Sequence, residues 1–592
     1  CVFLFTHYKR VYPNKKNGDT KMKTLSLLLL TFSFSINAQS LAPAQSIYMQ
    51  GNNINAIFRT DGYFNYDKFT FTNNVAGFIW PVNAPQRLTA VYASGLWIGA
   101  KTGPQRTLRL AASIYNSHYS PGNIPVIGQV PPSSVCNDPS WRGYYVQLTD
   151  PTLFSGGTRN KTAGGRQYTF NYDSWASWPV QKGAPYVEVN GIPGYQPAWN
   201  GDRPAIGNGM SARPEELLFM VFMDYTNCRD TVHSQEIFLP GGAPPLGAEI
   251  HQIVFNFNCI PLKDMYFVKY RIINKSSLIW DSTYISLVND FDIGDSNDDA
   301  VGCDTLKNLS FSLNFDDNDQ DYGTNPPAIG NRFLQTPLKF TGNNNDTAKL
   351  PYDTLVGYKL TDMTGFNRFM AGYACTSDPD DALMAYNFMR GKDGCGNTII
   401  NWVTGNPTTF RFSGNACSRT GWYDSAQFDQ RNITNTGNVI MNPGDTQIVV
   451  LSYMITRDGG NNLQNVCALQ SISDSALKYY YNDFRTCIPI GIQPISTEIP
   501  TKFELFQNYP NPFNPVTKIR FQIPAFVETT RRVVSLRIYD VLGKEISTLI
   551  NEELKPGTYE IEWNAENIPS GVYFYSLITN EFTQTKKMVV LK

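Results

Sequence analysis

The chain has 592 residues, 49 basic and 50 acidic side chains, a formal net charge of −1 and only 17% charged residues. This balance argues against a nucleic-acid partner, which needs a basic face to neutralise phosphates, while the length allows two or three hydrophobic cores. Plentiful Gly, Pro, Asn and aromatic residues predict a mainly β chain of short strands and many turns.

Residues 1–21 carry Lys and Arg without pattern and read as leader sequence outside the fold, with no lipid role for Cys1. Residues 22–38 read as a signal peptide: Lys21-Met22-Lys23 precedes an apolar run from Leu25 to Phe34, then Ser35-Ile36-Asn37-Ala38. The mature chain then begins near Gln39. That run is too short to span a bilayer, and no other stretch approaches the ~18 apolar residues of a spanning helix, so no transmembrane span is expected.

The segment after the signal peptide, the cargo, reads as two β-sandwich-like lobes, 39–246 and 247–487, ahead of a separate C-terminal region. In the first, short apolar segments such as Ala90 to Gly99 alternate with long Pro, Gly and Asn loops. The second opens on strands near 251–258, 266–273 and 283–288; in the middle one Tyr266, Val268, Tyr270 and Ile272 share a face, the period of a strand. It closes with a strand near 447–455 and one long helix, where Val466, Leu469, Ile472, Ala476 and Tyr480 recur three or four apart. Residues 488–499, with Pro489, Gly491 and Pro494, read as a linker. From 500 to 592 alternation returns, as in Val534, Leu536 and Ile538, and the turn-punctuated length predicts a C-terminal immunoglobulin-like β-sandwich.

None of the cysteines after the signal peptide makes a C-x-x-C zinc spacing, so disulfides are expected in an oxidising exterior, with at least one thiol left over. Local pairs are Cys467 with Cys487, and two among Cys375, Cys395 and Cys417.

The most chemical stretch runs from Asn289 to Asp299. Asp290, Asp292, Asp295, Asn297, Asp298 and Asp299 offer the hard oxygens that calcium takes. Asp295, Asn297 and Asp299 have the spacing that opens an EF-hand loop, but Ala300 stands where its Gly should be and Leu306 where its Glu should be. A second acidic loop spans 316–321. The competing reading is a solvated loop of Asx turns.

For catalysis the cargo offers little: His118, His233 and His251, no H-E-x-x-H, no G-x-S-x-G, and few Glu residues. Aromatic residues crowd between Trp141 and Trp199; β cores consume aromatics, and exposed rings also stack on sugars. Trp175, Trp178 and Trp199, with Asp202 as polar partner, are the candidate ligand platform. These features favour an adhesive, structural or glycan-binding module, the alternative being a polysaccharide-directed hydrolase.

The segment Phe506-Gln507-Asn508-Tyr509-Pro510-Asn511-Pro512-Phe513-Asn514-Pro515, followed by Tyr539 to Lys544 around Gly543, by Gly571-Val572-Tyr573 and by Lys586-Lys587 before the apolar end, resembles the type A C-terminal sorting domain of the type IX (Por) secretion system. The resemblance implies passage through the outer membrane of a Gram-negative bacterium. The implied partners, reached through residues 500–592, are the translocon and a sortase-like peptidase, with release or attachment to surface lipopolysaccharide. Ile273-Asn274-Lys275-Ser276, Asp292-Ile293-Gly294, Gly302-Cys303-Asp304-Thr305 and Asn325 to Gly330 resemble a recurring set in surface proteins with the same sorting domain. Export of this kind is associated with O-glycans on Asp-Ser/Thr-aliphatic triplets, of which Thr347 and Thr354 are the best-placed examples.

Overall fold

The structure, a computed structural model, describes residues 44–591 except 68–74, 137, 148–157, 164–165, 172–177, 185–186, 190–191, 195–213, 226–238, 352, 371, 373, 426–427, 483, 485–492, 497–499, 525–531, 555, 566–567 and 580–581. The expected signal peptide lies outside these residues.

The chain is mainly β, as its composition predicts. Two antiparallel sheets organise the cargo. A nine-stranded sheet runs in the order Tyr144–Gln147, Glu216–Met223, Ala248–Asn256, Met265–Asn274, Thr446–Thr456, Ala328–Gln335, Leu309–Asn314 and Asp299–Asp304, with Ser120–Pro121 also on Glu216–Met223. A five-stranded sheet runs Gly365–Phe369, Arg431–Met441, Trp280–Asp290, Ala93–Thr102 and Thr107–Ala111. Both sheets draw strands from either side of residue 246, so the expected lobes 39–246 and 247–487 are interleaved rather than separate. Segments on the two sides of that boundary each read as strands, but their pairing is long-range and carries no local signal.

Side-chain direction alternates along each strand, which stacks the cargo in layers. Tyr266, Val268, Tyr270 and Ile272, the face expected from the sequence, meet Leu96, Ile98, Ile285 and Leu287 between the sheets. The opposite face of the larger sheet offers Phe255, Phe267, Val450 and Met454 to the helix Asn462–Tyr481. Asn461 caps that helix by accepting the Gln464 N–H, and its Val466, Leu469, Ala476 and Tyr480 point inward. A second helix, Ala382–Met389, packs Ala385, Phe388 and Met389 against Trp97, Val288 and Ile433 on the outer face of the smaller sheet; it is too short to stand out in the sequence.

Cys375 pairs with Cys395, among the expected combinations. Cys467 pairs with Cys417, not with Cys487, which lies outside the described residues. The helix explains the correction. Cys467 sits in its first half, and at about 1.5 Å per residue roughly 20 Å of helix separates it from the end, whereas a disulfide needs Cα atoms within about 7 Å. Cys259 is also disulfide-bonded, and Cys303 is a buried free thiol.

The C-terminal region is a sandwich of two four-stranded antiparallel sheets: Gln493–Ser496, Gly557–Asn564, Val516–Ile523 and Glu504–Leu505 against Glu545–Leu554, Arg532–Tyr539, Gly571–Ile578 and Thr583–Val590. Val534, Leu536 and Ile538 face Ile519, Phe521, Ile561 and Trp563 in its core. Residues 493–496, expected in the linker, pair with Gly557–Asn564, so the sandwich begins before residue 500.

Candidate functional site

Antiparallel pairing places Asp290, the last residue of Trp280–Asp290, directly opposite Arg431, the first of Arg431–Met441. Both are buried, Asp290 at 2% exposure. Arg431 Nε lies 3.5 Å from Asp290 Oδ1 and 3.8 Å from Asp378 Oδ1, and its Nη2 lies 3.4 Å from Asp429 Oδ1. The Tyr115 hydroxyl donates to Asp290 Oδ2 and accepts from Arg431 Nε at 3.1 Å. Asp292 completes the group, with one oxygen each from Asp290, Asp292 and Asp429 lying within 4.8 Å of one another. The cluster runs from the buried Asp290 through the half-buried Asp292 to the exposed Asp429.

These carboxylates outnumber the guanidinium they surround. Burial pushes the Asp290 carboxyl up to about 6 although Arg431 opposes the shift. Burial, then the neighbouring Asp290, pushes Asp292 well above the usual range, and burial also raises Asp378. For Arg431 burial works against the charge, but Asp290, Tyr115 and Asp378 outweigh it and raise its pKa. Asp292 Oδ1 is buried without a hydrogen-bond partner. Chemically, the centre suits a cation, or a carboxyl held protonated near neutral pH.

The remaining residues of the expected calcium loop are engaged differently. Asp295 Oδ1 accepts from the backbone and side-chain N–H groups of Asn297, at 3.1 and 2.9 Å, and so closes an Asx turn. Asp299 is buried, and its Oδ2 accepts the Ile293 N–H at 2.9 Å. Asp298 is half-buried, its pKa raised by burial. Asp319 ties the two acidic loops together: Oδ2 accepts the Asp295 N–H at 3.0 Å, and Oδ1 accepts those of Asp321 and Tyr322. A side chain at Gly294, whose φ is +67°, would run into the Asp319 carboxylate. The structure thus brings Asp290 and Asp292 together with Asp429, Asp378, Tyr115 and Arg431. Sequence reading missed these four because strand pairing assembles them from distant segments.

Of the expected platform, Trp178 is buried and packs against Phe219 at 6.3 Å; Trp175, Trp199 and Asp202 lie outside the described residues. A different tryptophan is exposed. Trp402 is 80% exposed and lies nearly parallel to the buried Trp422, with centroids 6.0 Å apart and planes at 26°. It sits in the turn between Ile399–Ile400 and Pro407–Thr408, where Asn401 Oδ1 accepts the Val403 and Thr404 N–H groups. The turn signal Asn401-Trp402-Val403-Thr404-Gly405-Asn406 was present in the sequence.

In the C-terminal sandwich the motif residues form a clasp. Asn508 is buried; its N–H donates to Tyr575 Oη at 2.8 Å, and its Nδ2 donates to Thr517 Oγ1 and the Pro510 carbonyl. Asn511 Oδ1 accepts the Val589 N–H at 2.9 Å, Phe513 N–H donates to the Val589 carbonyl and Leu591 N–H to that of Phe513. The loop therefore holds the last strand while Tyr509, Pro510, Pro512 and Lys587 stay exposed, and Lys586 is half-buried. Gly543, at φ +77°, closes an exposed turn in which Asp540 accepts the Leu542 and Lys544 N–H groups. Tyr573, two residues after Gly571, donates to the Pro569 carbonyl at 3.0 Å.

Residues 507–591 match the family described as the secretion system C-terminal sorting domain. The chain therefore carries a type IX secretion sorting domain, which implies export through that machinery. No curated protein matches the chain. Among solved structures, a polysaccharide lyase is similar over 58% of this chain and 34% of its own length, at 7% identity and a TM-score of 0.16, a likeness too low to bear on the cargo. Among the described residues no helix is long and apolar enough to cross a membrane.

Proposed function

We propose that the type IX machinery delivers this protein to the outer face of a Gram-negative cell, where the cargo acts as an adhesive, glycan-binding module. A sortase-like peptidase and surface lipopolysaccharide are the partners the sorting domain would meet there. Trp402 carries the reading. A large apolar ring left in water is held flat by Trp422, and such a face stacks on pyranose rings. In a screen of neutral glycans with the purified full chain, Trp402→Ala should abolish most binding without shifting the melting temperature; unchanged binding counts against the reading.

Calcium at Asp290, Asp292 and Asp429 fits the surplus of carboxylates there. Bound only by the folded state, it would raise the melting temperature by mass action, and Asp292→Asn should remove that gain. Thr347 and Thr354, exposed on the paired strands Thr347–Lys349 and Thr354–Val356, are accessible to O-glycans. Intact-mass spectrometry of protein from its native host checks this, and a bare polypeptide mass rules it out.

One observation favours the second reading, a polysaccharide-directed hydrolase: Asp290, pushed up to about 6, has the protonation a general acid needs. Release of reducing ends from polysaccharide that Asp290→Asn abolishes would support it.

A further inference from the structure

The outer face of the nine-stranded sheet changes character along its strands. Where the helix Asn462–Tyr481 packs, across Thr446–Thr456, Ala328–Gln335 and Leu309–Asn314, it is mostly apolar, with Arg332 paired to Asp474 of the helix. Farther along Ala248–Asn256 and Met265–Asn274 the same face carries Glu249, His251 and Arg271, with His251 directly opposite Arg271. Lys275 follows the second strand, and Trp141 and Lys182 form the opposite wall of a cleft of about 490 Å³. That lies within the ~300–1,000 Å³ range of small-ligand sites.

Among the described residues the charges lining this cleft do not balance: Lys182, Arg271 and Lys275 stand with one carboxylate, Glu249. Glu249 is committed to the protein: Oε1 lies 2.9 Å from His251 Nε2, while Oε2 accepts the Ile124 N–H at 2.7 Å and lies 3.7 Å from Lys275 Nζ. Lys182 stands over the Trp141 ring, 4.1 Å from its centroid, and donates to Ser140. Arg271 is exposed and has no ion pair among the described residues. A planar guanidinium without a carboxylate, in a concave cationic site, presents the fork that takes a carboxylate by two parallel hydrogen bonds. Asn123 and Gln181 line the cleft as well and offer amides to hydroxyl groups.

We propose that this cleft binds a carboxylate-bearing sugar, a uronate unit of an acidic polysaccharide, with Arg271 as the main carboxylate ligand and Lys275 as its electrostatic support. It is a second site, made of different residues from the Trp402 turn, and it gives the exported cargo a preference for acidic over neutral glycans.

Isothermal titration of the purified full chain with trigalacturonate, a neutral trisaccharide and sodium acetate tests this. Trigalacturonate should bind, and Arg271→Gln should weaken it at least about tenfold, the loss of a hydrogen bond to a charged group, with an unchanged melting temperature because the side chain is exposed. Arg271→Lys should recover only part of the affinity, and Trp402→Ala should leave it unaltered. Equal binding of the neutral sugar at this site, equally effective competition by acetate, or an unaffected Arg271→Gln variant would each overturn the assignment. Failure of galacturonate, glucuronate and mannuronate oligomers alike would also overturn it. The Trp402 reading would still stand if neutral glycans bind and Trp402→Ala loses them.

Discussion

Between the sheets of the C-terminal sandwich, Leu536 and Ile538 meet Phe521 and Trp563; between the sheets of the cargo, Asn289 meets other amides and hydroxyls. Its Oδ1 accepts from Ser94 at 2.9 Å and Tyr453 at 2.6 Å, and its Nδ2 donates to Asn331 and Asn432 at 3.0 and 3.2 Å, all buried. Ser310 and Thr434 extend the network across the sheets. Apolar contact is non-directional and tolerates volume-conserving changes, whereas a buried amide network loses several hydrogen bonds at once when a central member goes; here Asn289 uses both side-chain atoms, while Asn331 Nδ2 and Asn432 Nδ2 have no hydrogen-bond partner. Between its sheets the export region is thus held by apolar packing, with hydrogen bonds gathered in the Asn508 clasp, and the cargo by packing together with a fixed pattern of hydrogen bonds that aligns one sheet on the other.

The largest expected effect separates the two regions completely. Deleting residues 493–592, rather than cutting at 500 and leaving Gln493–Ser496 without its partner strand, should abolish surface display and leave the cargo's thermal transition in place. Display persisting in the truncated protein, measured by protease accessibility on whole cells, would break the division of labour.

Within the cargo, Arg431→Met strands the surrounding carboxylates and should lower stability by about 3–5 kcal/mol in denaturant titration, the range for a buried ion pair that loses one partner. A loss under about 1 kcal/mol would mean that water already solvates the centre.

A matched pair of substitutions sharpens the contrast. Leu536→Met in the sorting sandwich conserves volume and should cost under about 1.5 kcal/mol. Asn289→Leu is of similar size but leaves buried partners unsatisfied, each worth about 1–3 kcal/mol, so it should be the more damaging of the two by at least about 2 kcal/mol. Equal losses would show that the amide network adds nothing beyond packing.

A smaller effect follows from acidity. Asp290 titrates at about 6 in the folded state against an ordinary 3.8, and a carboxyl raised in this way holds its proton more tightly folded than unfolded. Its contribution to stability is therefore complete below the ordinary value and lost as pH rises through about 6. In chelator the cargo's melting temperature should fall over that window, Asp290→Asn should flatten the fall, and calcium should oppose it.

The sorting sandwich was legible in its sequence because its strands bury one face each: Val534, Leu536 and Ile538 alternate with Ser535 and Arg537, and turn residues mark the ends. The motif could be read as a signature but not as a clasp, since the pairing of Asn511 and Phe513 with Val589 joins segments far apart in the chain. In the cargo, Ala248–Asn256 is buried at every residue, because the other sheet covers one face and Trp178, Ala184 and Phe484 pack on the other; alternation then says little about which side faces what. The helix Asn462–Tyr481 kept its periodicity and was found. The acidic centre was half visible: Asp290 and Asp292 stand in an obvious run, while Asp429 and Arg431 announce nothing until strand pairing sets them opposite Asp290. Trp402 stands among clear turn residues, but the denser run of aromatics from Trp141 to Trp199 is the stronger signal in the sequence.

The central claim is that Trp402, on a cargo displayed through the sorting domain, touches glycan. Adhesion of whole cells displaying either the native chain or Trp402→Ala, at equal surface density, to immobilised polysaccharides tests that claim most directly. Adhesion to at least one polysaccharide should fall at least about tenfold with the variant, as when a stacked aromatic central to an interface is removed; native and variant cells adhering equally to every polysaccharide, or neither adhering to any, would contradict that contact.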